Sequence, residues 1–581
     1  MSRMYTGKVI KHRKEVPQKN GDTYIYEREY QYDPVLKKTL RISNELVAKI
    51  PKGSNTEVPT RPKRKTGDKT ALNTELTATR EHTGLCEILD HVGAASGIDQ
   101  AIKSSTDEPT ALKLMSLARF LVATGGDTLP HIETWQLTHP IPYAEGISEN
   151  VYYNLCKEIG SDETFRQRLF MERCNVLGPK PLLAFDSTTE STYSECQIEA
   201  RYGYNKAGDG LKTIKLLTLY SVDNRQPVAF AKQPGNLSDV TSLVSAMAQM
   251  EALGLEDAEI ITDNGYYAEE NLLEMCLAGF HFITLAKSSL SWIKKEIMAH
   301  KEEFVDIENR RSYLGGTYCY SVPLKHTFKR TRKYGSQKKA LRKGDTEDIH
   351  KRLYLHLYFS PSKKAKEDAA LFDDVADVKQ LIEDGVKLDQ LSKEAQRTAK
   401  KYLVISKKRG SKGLSVTYDK EKLDEACELH GFFALVANHE KDRFTALEKY
   451  RKREKVEEYF KLAKNDADSA RPRVWYADHL MGRMILQFIA LSYEDYLRYE
   501  IGKMRATLGK ETGDAEHDTP ERLKLERELK KWLDKTSFSN ILRWFDAYET
   551  TAVSTSIRNW RWNSATTRRD RLFLQMLGLK S

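Results

Sequence analysis

Between residues 181 and 287 the chain carries five short apolar segments whose order points to a mixed sheet. Pro181-Leu-Leu-Ala-Phe-Asp-Ser-Thr-Thr, Leu211-Lys-Thr-Ile-Lys-Leu-Leu-Thr-Leu-Tyr and Pro227-Val-Ala-Phe-Ala-Lys read as three hairpin-linked strands, the last two joined around Asp223-Asn-Arg. After Gly235-Asn-Leu-Ser-Asp239 the period changes, and Leu243, Ala246, Met247 and Met250 fall on one face of a helix. A fourth strand, Ala258-Glu-Ile-Ile-Thr-Asp, a helix over 268–278 and a fifth strand, His281-Phe-Ile-Thr-Leu-Ala-Lys, follow. Three antiparallel strands and then alternating helices and strands predict an α/β fold around a mixed five-stranded sheet.

The rest of the 581 residues implies several domains. Residues 1–70 form a basic N-terminal segment in which Asp22-Thr-Tyr-Ile-Tyr-Glu-Arg-Glu-Tyr suggests a small strand pair. It ends in the cationic run Arg61-Pro-Lys-Arg-Lys, a phosphate contact or a solvated linker. Residues 71–176 turn helical, with Leu85, Ile88, Leu89 and Val92 on one face, and are expected to grip a macromolecule. The sheet begins at 177 and is interrupted over 290–442 by a charged, β-rich insertion. It resumes at 443–500, and 501–581 reads as a C-terminal helical domain for dimerisation or DNA contact. Within the insertion, Lys325 to Arg352 holds eleven Lys/Arg against three acids, interleaved with Phe328 and Tyr334. Such a strip suits a nucleic-acid backbone, with Lys329, Arg330, Arg332 and Lys333 as candidate contacts; an exposed loop is the plainer reading. Seven cysteines without a CxxC pair read as reduced residues of a cytoplasmic protein, and they give no support for structural zinc. No apolar run reaches membrane-spanning length, and the N-terminus predicts no secretion signal.

Three carboxylates stand out. Asp186 and Asp263 each follow an apolar strand, and Glu457 lies in a helix-like stretch from Tyr450 to Lys464. There Tyr450, Arg453, Glu457 and Lys464 share a face, beside an apolar stripe of Val456, Phe460 and Ala463. Singly, an Asp at a strand end is usually a turn former and a charged helix face is usually solvated. Together, carboxylates from two strands and a helix could hold two Mg²⁺ ions roughly 3.5–4 Å apart, the arrangement that makes and breaks phosphodiesters. Carboxylates more than about 12 Å apart would count heavily against it.

With these residues in place the chain resembles the DDE transposases of bacterial insertion sequences, in the branch with a Y-x2-R-x3-E-x6-K signature, complete here as Tyr450, Arg453, Glu457 and Lys464. The resemblance extends to Phe185-Asp-Ser-Thr-Thr, Pro234-Gly-Asn-Leu-Ser-Asp239, Thr262-Asp-Asn-Gly-Tyr266, Arg471-Pro and a helix opening with His479-Leu, and covers about 180–490. It implies a ribonuclease-H-like core split by the insertion, with mainly helical flanking domains. It implies Asp186, Asp263 and Glu457 as the catalytic, metal-binding triad for two Mg²⁺, with Mn²⁺ as a substitute. Tyr450, Arg453 and Lys464 would contact transposon-end DNA. The implied partners are double-stranded terminal inverted repeats, target DNA and a second copy of the chain in a homodimeric paired-end complex in the bacterial cytosol. Where the family often has an Arg after the second Asp, this chain has Asn264. A nuclease without strand transfer and a non-catalytic DNA-binding repressor derived from a transposase are the alternatives. His479 reads as a packed or capping residue, Ser238 as a helix cap beside Asp239, and Trp560 and Trp562 as packing for a small core.

Overall fold

The computed structural model describes residues 9–33, 37–60, 77–126, 129–203, 205, 208–255, 257–331, 344–407, 414–466, 474–514, 518–554 and 559–579. The chain divides into two compact units, one drawn from Met1–Arg80 and Thr550–Trp562, the other from Glu81–Glu549 and Asn563–Ser581.

In the first unit the N-terminal segment forms more than a strand pair. Ile10–Pro17, Thr23–Asp33 and Lys38–Ile50 make an antiparallel meander, closed by the short Val58–Pro59. The sheet is exposed on most of its surface, with Ile25 and its cross-strand partner Ala48 buried. A three-stranded sheet runs Asn559–Asn563, Thr550–Ser554, Thr77–Glu81, so part of the C-terminal stretch is extended where helix was expected. Trp560 and Trp562 are exposed on it and pack no core. The cationic run from Arg61 lies outside the described residues.

The second unit is organised on a nine-stranded sheet. The five strands anticipated from the sequence lie side by side, in the order His281–Ala286, Glu259–Thr262, Leu182–Thr192, Lys212–Ser221, Gln226–Pro234. The first three are mutually parallel and the last two continue antiparallel, giving a mixed sheet. Insertion strands extend this same sheet: Phe432–Ala437 pairs antiparallel with His281–Ala286, and Thr346–Phe359, Thr317–Thr331 and Arg310–Arg311 follow outward. The middle of the insertion is instead a mainly helical lobe. Its helices Pro361–Glu383, Lys393–Tyr402 and Lys420–Cys427 and the small hairpin Leu403–Lys407 with Leu414–Tyr418 enclose their own apolar cluster around Val375, Ile382, Ala399 and Val416. Backbone Ser360 donates to Gly431 O at 2.9 Å, so the lobe leaves and re-enters the sheet at adjacent points.

The N-terminal helices share the main core with the sheet. The stripe Leu85, Ile88, Leu89 and Val92 is buried as its spacing predicts. Ala477–Thr507, whose apolar opening predicts a core helix, is buried along most of its length and packs against Glu149–Ser161. Their approach is close at two glycines: a Cβ on Gly482 would lie 2.0 Å from the Cys156 carbonyl oxygen, and one on Gly160 would lie 1.8 Å from that of Asp478. Among the described residues no helix is long and apolar enough to cross a membrane.

Candidate active site

Parallel pairing sets Phe185 against Thr262, which brings the next residues of the two strands, Asp186 and Asp263, to the same end of the sheet. Asp263 follows its strand directly and caps the turn Asn264–Tyr266, accepting from the Asn264 amide at 2.6 Å. Asp186 does not end its strand. The β-prone Ser/Thr run after it stays paired with Lys212–Ser221 as far as Thr192, and the Asp186 carboxylate accepts from the Ser187 amide.

Glu457 stands in the first turn of the helix Glu454–Asp466. Val456, Phe460 and Ala463, the stripe read from the sequence, are buried with Tyr459 against Leu182, Ala184 and Ile261, which fixes this helix on the face of the strands carrying the aspartates. The stretch from Tyr450 is not one helix, however. One helix, Arg443–Arg451, stops before the next begins, and the join at Lys452 and Arg453 is a tight turn in which the Arg453 amide bonds to Tyr450 O. Tertiary partners explain the break. Lys449 pairs with Glu259 and Glu440, Arg451 donates to Leu314 O, and Lys452 pairs with Asp223, three different directions for near-neighbours.

At that join, the Arg453 guanidinium faces all three carboxylates. It lies 3.1 Å from Asp186, 2.6 Å from Glu457 and 3.8 Å from Asp263. Burial disfavours its charge, but Tyr450 and the three carboxylates outweigh that and hold its pKa above the ordinary arginine value. Two further clusters of possible ligands lie elsewhere among the described residues, His82 with His139 and Asp546, and Asp368 with Cys427 and His430. Tyr450 lines the same centre, its hydroxyl 3.5 Å from Asp263 and its ring under the guanidinium. Burial raises its phenol pKa. An all-oxygen donor set of three carboxylates fits hard divalent cations such as Mg²⁺ or Mn²⁺.

A supporting ring lies behind these groups. Asp239 accepts from Ser187 Oγ at 3.0 Å and from Lys215 Nζ at 2.8 Å, and a Cβ on Gly265 would come 3.0 Å from its other oxygen. It thus braces the strand of Asp186, with the turn after Asp263 packed close beside it. Ser238 caps the helix as its spacing suggests, accepting from the Thr241 amide. Lys215 is the member that sequence reasoning missed; its signal is a lysine on the inward face of an apolar strand.

The remaining predicted contacts are spread more widely. Lys464, half-buried in the last turn of Glu454–Asp466, is an electrostatic neighbour of the buried Glu190. Burial pushes the Glu190 carboxyl up to about 7 against the pull of Lys464 and Arg483. Lys329 is exposed on the long strand Thr317–Thr331, and Arg330 pairs with Glu274 at 3.0 Å. The two stand opposite Asp348 and Glu347 on the neighbouring strand. Phe328, read as an aromatic of the basic strip, is instead buried in the core. Arg332, Lys333, Tyr334 and Arg471 lie outside the described residues. His479 is buried and packed against Tyr153.

A family profile described as Transposase DDE domain matches residues 177–493, which contain all three carboxylates. No curated protein matches the sequence. Among solved structures, the cryo-EM piggyBac transposase synaptic complex with hairpin DNA is similar at 9% identity over 75% of each chain, with a TM-score of 0.33.

Proposed function

The chain belongs to the Transposase DDE domain family, and from that membership we propose that it is the transposase of a bacterial insertion sequence, acting on the element's own ends through a ribonuclease-H-like core. In this reading it binds the terminal inverted repeats as a homodimer, cleaves the DNA to expose 3′-hydroxyls and joins them to target DNA. The observation that carries it is the meeting of Asp186, Asp263 and Glu457 around one guanidinium, from within one strand, from the end of its parallel neighbour and from a helix.

Asp186, Asp263 and Glu457 are the residues that would hold two Mg²⁺, or Mn²⁺ in their place. When bound, such ions activate the attacking oxygen and stabilise the leaving one. Asp239 and Lys215 brace the strand of Asp186 through Ser187, beside the closely packed turn at Gly265. Tyr450, Arg453 and Lys464 hold the transposon-end backbone, with the insertion strand carrying Lys329 and Arg330 as a further contact. Hydrolysis transfers the phosphoryl bond from the 3′-oxygen to water, leaving a 3′-hydroxyl and a 5′-phosphate. In joining, that hydroxyl attacks a target phosphate and a target 3′-oxygen leaves, so phosphodiester bonds are conserved and no external energy source is consumed.

Cleavage and joining of labelled DNA carrying the element's ends, in Mg²⁺ or EDTA, test this directly. Metal-dependent nicking at the boundary followed by a joined product is expected for wild type, with loss of both by at least about 10³-fold for Asp263→Ala. Cleavage without joining would replace the reading by a nuclease. DNA binding with no cleavage in either protein would replace it by a DNA-binding derivative.

A further inference from the structure

Arg453 carries a family expectation of DNA contact, yet its guanidinium is turned inward and only 12% of the side chain is exposed. Its nitrogens face Asp186 and Asp263, the residues that follow the last parallel pair Phe185 and Thr262 of neighbouring strands, and Glu457 from the helix packed on them. Three carboxylates against one guanidinium leave a local excess of two negative charges, which Arg453 lessens without neutralising. The guanidinium is a planar fork whose nitrogens lie within 4 Å of a carboxylate oxygen from each of the three residues. The backbone of Arg453 also lies in the join between two helices, outside a continuous helical ladder. A change of direction there does not require a helix to unwind.

We propose that Arg453 is the resident cation of this cluster and exchanges with the divalent ions: it keeps Asp186, Asp263 and Glu457 facing one another in the metal-free protein, and leaves them for the DNA backbone when metal is bound. This rests on the reading of the three carboxylates as metal ligands. Arg453 is then a positioning residue before metal binding and a phosphate contact after it, one charge serving two partners in turn. The exchange couples the two requirements of the reaction. A guanidinium still seated among the carboxylates signals a site without metal, and it is withheld from DNA; once released, it meets a phosphate near the same centre. Tyr450, whose ring centroid lies 5.8 Å from the guanidinium carbon, offers an aromatic face toward which the arginine can turn.

The test uses the full chain without DNA and with Mn²⁺ as the probe. Binding is followed by calorimetry for wild type, Arg453→Gln, Arg453→Lys and Asp186→Asn, with melting curves in EDTA and in Mn²⁺. Arg453→Gln is expected to bind Mn²⁺ about tenfold more tightly than wild type, because no internal cation competes. It should also melt lower in EDTA and gain more on adding metal. Arg453→Lys, which keeps the charge and loses the fork, should fall between them. A residue that merely stabilised the fold would lower the melting point without tightening metal binding. In wild type, phenylglyoxal modification of Arg453, read by mass spectrometry, should be slow in EDTA and rise severalfold in Mn²⁺; this measurement stands even where the glutamine variant does not fold. Mn²⁺ affinity unchanged or weakened in Arg453→Gln, or an Arg453 that stays protected at saturating Mn²⁺, overturns the exchange while leaving the metal site intact. Mn²⁺ binding absent in wild type, or indifferent to Asp186→Asn, removes the metal-site reading itself and the exchange with it.

Discussion

Glu190 lies four residues beyond Asp186 on the same strand face, wholly buried, with Lys464 and Arg483 as its charged neighbours. Its carboxyl titrates near 7 in the fold, against an ordinary value of 4.5, because burial penalises the anion more than the two cations relieve it. A carboxyl whose folded pKa is raised holds its proton longer in the folded state than in the unfolded one. Its contribution is therefore fully present below about pH 4.5 and is lost as pH rises through about 7. The shift corresponds to about 3 kcal/mol. Urea unfolding of wild type and Glu190→Gln at pH 5 and pH 8 should show wild type losing stability relative to the variant across that interval. A difference between the two proteins that is the same at both pH values would show that Glu190 does not titrate there.

At the scale of elements, local pattern and distant partners wrote different parts of the structure. The five core strands and the stripe Val456, Phe460 and Ala463 were legible because burial on one face imposes a period on neighbouring residues. The break at Lys452 and Arg453 was not, since it follows from Glu259, Glu440, Leu314 and Asp223, which approach from separate strands and loops. Phe328 misled for a related reason: it sits among cations in sequence, but alternation along a strand turns it to the opposite side from Lys329. The family motifs singled out the three carboxylates; the guanidinium that lies within 4 Å of each was not legible in the sequence. Helix Ala477–Thr507 offers a test of packing by one substitution at two places. Gly482→Ala puts a methyl against the Cys156 carbonyl, and the widened helix pair should cost about 2–4 kcal/mol despite alanine's better helix propensity. Gly502→Ala, with nothing within 4 Å of the added carbon, should stabilise by up to about 1 kcal/mol. Thermal melts of the two variants should move in opposite directions; a common direction would mean that the close approach at Gly482 relaxes without strain.

In the molecule as a whole, the second unit carries a sheet that is continuous through the insertion and a lobe that is not part of it. The lobe has its own apolar cluster, and its ends meet at Ser360 and Gly431. Replacing 361–430 by a short flexible linker should therefore leave the sheet folded, with cooperative melting and an unchanged protease-resistant core. Aggregation or early proteolysis of the strands Thr346–Phe359 and Phe432–Ala437 in that deletion would show that the lobe supports the sheet.

The meeting of the lobe's two ends also bears on how the chain finds its native state. Arg453 reaches Asp186 across 267 positions and Tyr450 reaches Asp263 across 187, so the carboxylate centre is closed by contacts of very high sequence separation. Such contacts form slowly, because the intervening chain must first be brought together. A lobe that folds early ties Ser360 to Gly431 and removes some seventy residues from the loop to be closed, turning a long random search into a shorter one. The same segment that lengthens the chain between its acidic residues then takes its own length back out of the loop that must close.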